Sequence, residues 1–484
     1  MDRKKTESEV ERIAQLIEEK RDQLIQISND IWDYAETGFE EWKSANLLCE
    51  TLEKEGFTVE KGIGGIETAF VGSYGSGGPV VAILGEYDAL TGMSQKGGGL
   101  QPEEVVKNGN GHGCGHNLLG TGALAAAIAL RYYMEESNLP GTVRYYGCPG
   151  EEIGGGKTFM VKEGVFNDVD FALTWHPETH NKIWSSRTLA CYEVNFRFTG
   201  KSSHAAATPH LGRSALDAAE LTNIGVNYLR EHIIPEARVH YAITNTGGFS
   251  PNVVQSEAEV LYFVRAPKVS QTHEVYERVC DIARGAAMMS GTALEIGFDS
   301  AIFDLIPNTV LETVMHKKYS ELGVPVHDEN EIKFAKEIRS TLTEAEKSFD
   351  IENMKELKGK ELSDVIEPYV ELKEVLPGST DVGDVSWVVP TAQCFVACAA
   401  LGTALHSWQM VSQGATSLGH KGMLHAGKVI AATAAEVMQN PEIIQQAKDE
   451  LLKRLDGETY VSPLPEDYKQ YKVRRRQMIG GTCS

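Results

Sequence analysis

The chain of 484 residues is too long for one ordinary hydrophobic core, and its length predicts two domains. Its 42% hydrophobic and 24% charged residues are typical of a soluble globular protein, and its net charge of −22 argues against nucleic acid or an anionic membrane as a partner. The absence of a run of about 18 apolar residues, together with a charged amphipathic start rather than a signal peptide, predicts a cytoplasmic protein.

Strands and helices alternate along the first part of the chain. Residues 8–56 read as helices, and the apolar run in GGPVVAILGEYDAL predicts a buried strand. A helix over LLGTGALAAAIALRYYMEE, a strand over PGTVRYYGCPGEE, a helix over GGKTFMVKEGVF and a strand over VDFALTWHP follow in that order. This alternation predicts an α/β fold, with a mostly parallel sheet and helices on both of its faces.

Polar side chains follow three of the predicted strands. Glu86 and Asp88 come after the first, Glu151 and Glu152 after the second, and His176 after the third. Because the carboxyl ends of parallel strands meet at one edge of a sheet, we expect these side chains to lie in one crevice.

The pattern changes from about residue 188. Residues 188–304 read as strand, helix, strand, strand, helix, strand, which is the order of a ferredoxin-like α+β domain. We expect this lid or dimerisation domain to be inserted into a discontinuous catalytic domain formed by residues 1–187 and 305–484. Residues 326–374 are rich in Glu and Lys with helical periodicity, and they predict a solvated helical excursion.

The stretch GHGCGHN, residues 111–117, is a potential metal site. A single glycine separates Cys114 from His116, so both side chains can turn toward one ion, and Glu152 and His176 arrive from neighbouring strand ends. Each residue alone is better explained as a hydrogen-bonded core residue, so the prediction depends on their convergence. The adjacent acids Glu151 and Glu152 point in different directions, which lets one bind metal while the other transfers protons.

Six stretches together carry a specific resemblance. They are GEYDAL, HGCGHNLLGTGALAAA, GTVRYYGCPGEE with GGKTFM, ALTWHPETHN, GKSSHAAATPHLGRSALDA and STDVGDVSWVVPT. With them the chain resembles the metallo-aminoacylase and carboxypeptidase family, peptidase family M20, in its amidohydrolase branch, and most of all the group that hydrolyses p-aminobenzoyl-glutamate. The resemblance implies a metallo-exopeptidase fold with two divalent metal ions, Mn²⁺ favoured and Zn²⁺ possible.

The resemblance also assigns the metal site residue by residue. It implies that Glu151 is the general base and that Asp88 orients a ligand. The last ligand is a histidine of the final segment, and we choose His406 over His420 and His425 because it follows a strand and precedes a loop. The implied metal ligands are therefore Cys114, His116, Glu152, His176 and His406.

Two positions depart from the family pattern. Glu86 occupies the place of the histidine in the His-x-Asp pair of many members, which leaves its coordination open. Asn117 stands where relatives of the same branch usually have Asp.

The inserted domain contributes further implied residues. In dimers of this family a histidine of this domain reaches the partner's metal site and donates to the developing oxyanion, and His204 is the matching residue. Its alternative is a capping role near a helix start. Arg265, Asn252 and Arg213 are the substrate-binding candidates at family-like positions. Activity then requires a homodimer, or a heterodimer with a related subunit.

The implied reaction is hydrolysis of the amide bond of a small N-acyl amino acid. The expected substrate is p-aminobenzoyl-glutamate, cleaved to p-aminobenzoate and glutamate. One alternative is a dipeptidase acting on β-alanyl or similar dipeptides, and another is a non-catalytic subunit of a heterodimeric hydrolase.

Overall fold

The computed structural model describes residues 8–349, 354–372 and 375–464, so the basic stretch YKVRRRQ at 471–477 lies outside the described residues. The helices are α1 (Glu9–Glu18), α2 (Arg21–Tyr34), α3 (Trp42–Lys54), α4 (His116–Ser137), α5 (Glu151–Gly154), α6 (Gly156–Lys162), α7 (Ala215–Leu229), α8 (Val269–Ser290), α9 (Thr309–Leu322), α10 (Glu329–Ser340), α11 (Glu344–Phe349), α12 (Val382–Ser386), α13 (Trp408–Gln413), α14 (Ser417–Gln439) and α15 (Pro441–Leu455). The strands are β1 (Thr58–Lys61), β2 (Phe70–Ser76), β3 (Val80–Glu86), β4 (Gly141–Cys148), β5 (Phe171–Glu178), β6 (Lys182–Trp184), β7 (Arg187–Thr188), β8 (Ala190–Thr199), β9 (Arg238–Asn245), β10 (Glu257–Ala266), β11 (Ala293–Ile302), β12 (Val375–Leu376) and β13 (Thr391–Ala397).

The larger sheet has seven strands in the order β1-β2-β4-β3-β5-β13-β6. Its central strands β4, β3, β5 and β13 are parallel, whereas β1, β2 and β6 pair antiparallel at the edges. Alternate residues of β3 enter different cores: Val81 and Ile83 pack on one face, and Ala82 and Leu84 on the other. A strand buried on both faces must be apolar throughout, which explains the continuous run in the sequence.

Helices cover both faces of this sheet, as the sequence predicted. The Ala-rich helices α4 and α14 pack against each other in the core of one face. On the other face, α6 and α12 pack together and supply Phe159 and Val385 to a second core. The sheet is therefore shielded from solvent on both sides, and its open edge is the one formed by the carboxyl ends of the parallel strands.

A separate four-stranded sheet is formed within residues 190–302. Its order is β11-β8-β10-β9 with antiparallel pairing throughout, and α7 and α8 cover one face. In chain order the strands are therefore arranged fourth, first, third, second, which is the ferredoxin-like arrangement. Thr158 Oγ1 donates to the carbonyl of Ala301 at 2.9 Å, so the end of this segment is tied to the crevice side of the larger sheet.

The acidic and basic stretch after residue 326 forms α10 and α11. It is not fully solvated, because Ala335 and Ile338 are buried and pack with Leu418 of α14. Across the described residues, the structure contains no helix of the length and apolar character needed to cross a bilayer.

Candidate metal centre

The polar residues predicted at the strand ends do meet at one edge of the larger sheet. Glu86 is the last residue of β3, Glu151 and Glu152 begin α5 shortly after β4, and His176 lies near the end of β5. These strands are neighbours in the order β4-β3-β5, so their carboxyl ends open into the same crevice.

The loop containing Cys114 and His116 enters this crevice through a sharp turn at Gly115. Gly115 has φ of +75°, and α4 begins at His116 directly after it. A Cβ atom on Gly115 would lie 2.8 Å from Cγ of Pro177, which is closer than packed carbon atoms approach. A glycine is therefore required here both by the backbone angle and by the contact with β5.

Five predicted ligands converge in the crevice. Sγ of Cys114 lies 3.3 Å from Nε2 of His176, and Nε2 of His406 lies 3.4 Å from Oε2 of Glu152. Ligand atoms fall within 4.8 Å of one another in three overlapping groups, which are Cys114 with His116 and His176, Cys114 with Glu152 and His406, and Glu86 with His116 and Glu151. Cys114 and His116 belong to more than one group, so the groups form one continuous cluster.

Hydrogen bonds from outside the cluster fix the orientation of these ligands. Nδ1 of His116 donates to Oδ1 of Asp88 at 2.9 Å, and the backbone N–H of Glu152 donates to Oδ2 of the same carboxylate at 2.9 Å. Nδ1 of His176 donates to the carbonyl of Pro177 at 2.8 Å. Both imidazoles thus turn Nε2 into the crevice, which is the arrangement of metal-binding histidines.

The cluster fits a pair of first-row divalent cations. Nε2 of His116 and Oε1 of Glu152 are buried and have no hydrogen-bond partner among the described residues. Buried polar atoms are normally satisfied, so these orphaned atoms indicate a missing partner. Imidazole nitrogen, carboxylate oxygen and thiolate sulfur are together the donors of zinc and related ions.

The two adjacent acids differ in their electrostatics. Burial, with the nearby carboxylates of Glu86 and Glu152, raises the pKa of Glu151 well above its ordinary value. Burial also opposes ionisation of Glu152, but the hydrogen bond from His406 and the charge of His116 lower its pKa to about 2. The pair therefore combines a carboxyl group that can carry a proton with a carboxylate that stays charged.

A buried lysine, which the sequence did not reveal, supports the cluster. Nζ of Lys157 lies 2.6 Å from Oε1 of Glu86 and also contacts Asp381. Burial alone would lower the pKa of Lys157, but the carboxylates of Asp381 and Glu86 outweigh it and hold the pKa well above its usual range. The stretch GGGKT carries no local signal for this role, because the partners come from distant segments.

The three C-terminal histidines differ in their position relative to the crevice. The backbone N–H of His406 donates to the carbonyl of Gly113 at 2.8 Å, which holds His406 beside the Cys114 loop. His420 and His425 lie on α14, where their Nε2 atoms contact Asn29 at 2.9 Å and the carbonyl of Gly323 at 2.8 Å. Neither of them lines the crevice.

Three other predicted residues are not gathered around the cluster within one chain. His204, Asn252 and Arg213 are exposed on the segment of residues 190–302 that forms the four-stranded sheet. Nδ1 of His204 accepts from the N–H groups of Ala206 and Ala207 at 3.2 and 3.1 Å, which corresponds to the capping alternative. A role for these residues in the chemistry requires a second subunit or closure of the segment.

Arg265 reaches the edge of the crevice. Its Nη1 donates to Oγ of Ser379 at 2.9 Å, and its Nε has no partner among the described residues. Ser379 belongs to the lining of a cavity of about 410 Å³ that also contains Cys114, Glu151 and His406. A cavity of this size accommodates a small organic molecule.

Comparison with known proteins decides the family. Residues 82–407 match peptidase family M20/M25/M40. The chain belongs to this family. It is 50% identical over 467 residues to one of the subunits of p-aminobenzoyl-glutamate hydrolase of Escherichia coli (strain K12), covering 94% of this chain and 97% of that one.

More distant members agree with this placement. The chain is 28% identical to Xaa-Arg dipeptidase of Mus musculus, covering 92% of this chain and 93% of the mouse protein. A dinuclear metal-binding peptidase of the M20 family from Bacillus subtilis has a related fold, with a TM-score of 0.55 and 19% identity over 87% of this chain and 99% of its own. This M20 chain is accordingly a hydrolase of the metallo-exopeptidase fold.

Proposed function

We propose that this M20 protein is a dinuclear metal-dependent amidohydrolase that cleaves p-aminobenzoyl-glutamate to p-aminobenzoate and glutamate. The observation that carries the proposal is the convergence of Cys114, His116, Glu152, His176 and His406 beside Glu151 at one cavity. The substrate is inferred from the 50% identical Escherichia coli protein, which is named as a subunit of p-aminobenzoyl-glutamate hydrolase.

The five converging side chains would hold two divalent ions. Such ions polarise an amide carbonyl and lower the pKa of water when they are bound. The thiol of Cys114 favours Zn²⁺, whereas the resemblance to the p-aminobenzoyl-glutamate hydrolases favours Mn²⁺, and Mn²⁺ is the first ion to test. Glu86 remains a further ligand candidate, because Oε2 lies 3.3 Å from Nε2 of His116.

Glu151 is the proton carrier in this proposal. It takes a proton from the attacking water and delivers it to the nitrogen of the leaving amino acid. Its position in the cavity suits both halves of this transfer, and its raised pKa favours retention of the proton between them. Asp88 acts through His116 and Glu152, whose positions it fixes by two hydrogen bonds.

Substrate carboxylates would be recognised from the inserted segment. Arg265 carries a guanidinium group with an unpartnered Nε at the cavity edge, which fits a carboxylate of the glutamate. Asn252 and Arg213 are assigned to the same task, and His204 to stabilising the oxyanion, all in the cavity of a partner subunit. Their exposure in the single chain supports this arrangement.

The partner is a second copy of this chain or a related subunit. The Escherichia coli relative is named as one subunit of a hydrolase, which supports the related subunit. A non-catalytic role for this chain is disfavoured, because Glu151 and the whole ligand cluster are present. The cytoplasmic location inferred from the sequence is part of the same proposal.

A dipeptidase is the second candidate, favoured by the mouse relative and by one residue. Glu178 lines the cavity and offers a carboxylate to a cationic substrate side chain. Kinetics with p-aminobenzoyl-glutamate, β-alanyl dipeptides and Xaa-Arg dipeptides, with Mn²⁺ or Zn²⁺, distinguish the candidates. We expect turnover of p-aminobenzoyl-glutamate, lost in Glu151→Gln with metal retained. Hydrolysis of dipeptides without hydrolysis of p-aminobenzoyl-glutamate contradicts the proposed substrate. Activity that requires addition of a related subunit supports the heterodimer.

A further inference from the structure

A row of rings leads from the metal cluster across the floor of the cavity. The ring centroids of His116 and His176 are 5.8 Å apart, those of His176 and Phe395 6.2 Å, and those of Phe395 and Trp184 4.6 Å. The last pair is stacked, with 16° between the ring planes. An apolar surface therefore begins next to the ligand cluster and extends to the β6 edge of the sheet.

The register of the sheet explains why these residues share the cavity. Phe395 on β13 is paired with His176 on β5, and Gln393 is paired with Thr174 on β5 and with Trp184 on β6. Paired residues of neighbouring strands project to the same face, so two adjacent rows of side chains face the ligand. All five of these residues line the cavity.

One polar group in this surface lacks a partner. Gln393 is only 4% exposed, and its Nε2 has no hydrogen-bond partner among the described residues. A side-chain amide at this depth is normally hydrogen-bonded, so the position indicates a ligand atom. Because Nε2 is an N–H donor, Gln393 can donate a hydrogen bond to an acceptor atom on the ligand.

Two residues that do not line the cavity also contact the ring pair. Nζ of Lys182 lies 5.4 Å from the ring centroid of Phe395, and the indole N–H of Trp184 donates to the carbonyl of Ser186 at 3.2 Å. Rings fixed in this way offer a preformed surface for another flat ring. An alkyl chain gains less from such a surface, because it has no ring face or edge to align.

We propose that Trp184 and Phe395, with Gln393, form the acyl subsite and select an aromatic acyl group over an alkyl one. This inference deepens the proposed function and rests on it for the reaction that the subsite serves. The guanidinium of Arg265 binds the carboxylate of the amino acid, whereas the aryl group packs on the rings of Trp184 and Phe395. The charged and aromatic parts of the substrate therefore contact different residues.

Binding can be measured without turnover in the metal-loaded Glu151→Gln protein. Isothermal titration calorimetry compares p-aminobenzoyl-glutamate with N-acetyl-glutamate, which shares the amino acid but lacks the ring. We expect Trp184→Leu to raise the Kd for the aromatic ligand about tenfold, or about 1.4 kcal/mol. The Kd for N-acetyl-glutamate should change less than about twofold, or about 0.4 kcal/mol.

Two further variants make the result specific. Trp184→Phe retains a ring and should keep most of the aromatic preference, and circular dichroism checks that each variant is folded. The control Trp42→Leu removes an exposed indole that does not line the cavity and should change neither Kd. Equal weakening of both ligands by Trp184→Leu, or no weakening of either, overturns the subsite.

An error in the proposed function can be distinguished from an error in the proposed subsite. If the wild-type protein does not hydrolyse p-aminobenzoyl-glutamate, p-aminobenzoate alone is titrated as the probe. Binding of p-aminobenzoate that is weakened by Trp184→Leu then supports the aromatic subsite, although the proposed reaction is contradicted. If p-aminobenzoate and p-aminobenzoyl-glutamate both fail to bind, the subsite is overturned.

Discussion

We expect Lys157→Met to lower the free energy of unfolding by about 3–5 kcal/mol. The ammonium group is completely buried, and it contacts the buried carboxylates of Glu86 and Asp381. The methionine side chain fills a similar volume, but it leaves two carboxylates without their shared counter-charge. Removal of one member of a buried ionic group is costly because the remaining charges stay desolvated.

The assay is thermal unfolding followed by circular dichroism, at fixed metal concentration. A loss of this size corresponds to a transition temperature lower by roughly 6–20 °C, using the proportionality of about 2–4 °C per kcal/mol known for domains of 150–250 residues. The double variant Lys157→Met with Asp381→Asn should recover part of the loss, because it removes one of the two unpaired charges. Metal content, measured by mass spectrometry, shows whether Glu86 still supports the cluster.

An exposed ion pair provides the matched control. Arg284 pairs with Asp281 at 2.7 Å, and their side chains are 51% and 74% exposed, so Arg284→Ala should cost less than about 1 kcal/mol. If Lys157→Met is no more destabilising than Arg284→Ala, Lys157 does not neutralise Glu86 and Asp381. The same result would remove the electrostatic explanation for its burial.

Three other expectations concern pH, subunit exchange and metal. Burial raises the pKa of Glu312 from 4.5 to about 7, so the folded state binds the extra proton and stability falls as pH rises through this interval. Ionisation of Glu312 should lower the free energy of unfolding by about 3 kcal/mol across this pH interval. Urea unfolding at pH 5 and pH 7.5 should show this decrease for the wild type but not for Glu312→Gln. If His204 acts across a homodimer, mixing His204→Ala with Glu151→Gln should restore roughly a quarter of wild-type activity, because half of the dimers gain one intact site. Cys114→Ser should lower the bound metal per chain, measured by mass spectrometry, since a hydroxyl is a weaker ligand than a thiolate.

Each of these expectations has its own control. The exposed Glu344→Gln should keep the pH dependence of the wild type, and Glu312→Gln with that same dependence would contradict the assignment. Mixtures that stay as inactive as the separate His204→Ala and Glu151→Gln proteins argue against a shared site. Cys49→Ser alters a buried thiol outside the cluster, and metal loss equal to that of Cys114→Ser would point to a general effect.

The local sequence determined much of the fold and part of the site. The continuous apolar run of β3 and the Ala-rich helices fixed the layered arrangement, because elements buried on all sides must be apolar. Gly115 between Cys114 and His116, and the paired acids Glu151 and Glu152 after a strand, are short-range features with a direct chemical meaning. The predicted succession of strand, helix, strand, strand, helix and strand is also present, as β8, α7, β9, β10, α8 and β11.

Only the tertiary structure decided which distant side chains meet. Lys157 lies 71 residues from Glu86 and 224 from Asp381, and the Trp184 and Phe395 stack depends on pairing between β6 and β13. The pairing of parallel strands is set by packing across the whole sheet rather than by neighbours in the chain. Periodicity therefore reveals that a residue faces the core, but the partner it finds there depends on long-range register and on the volume of every side chain between them.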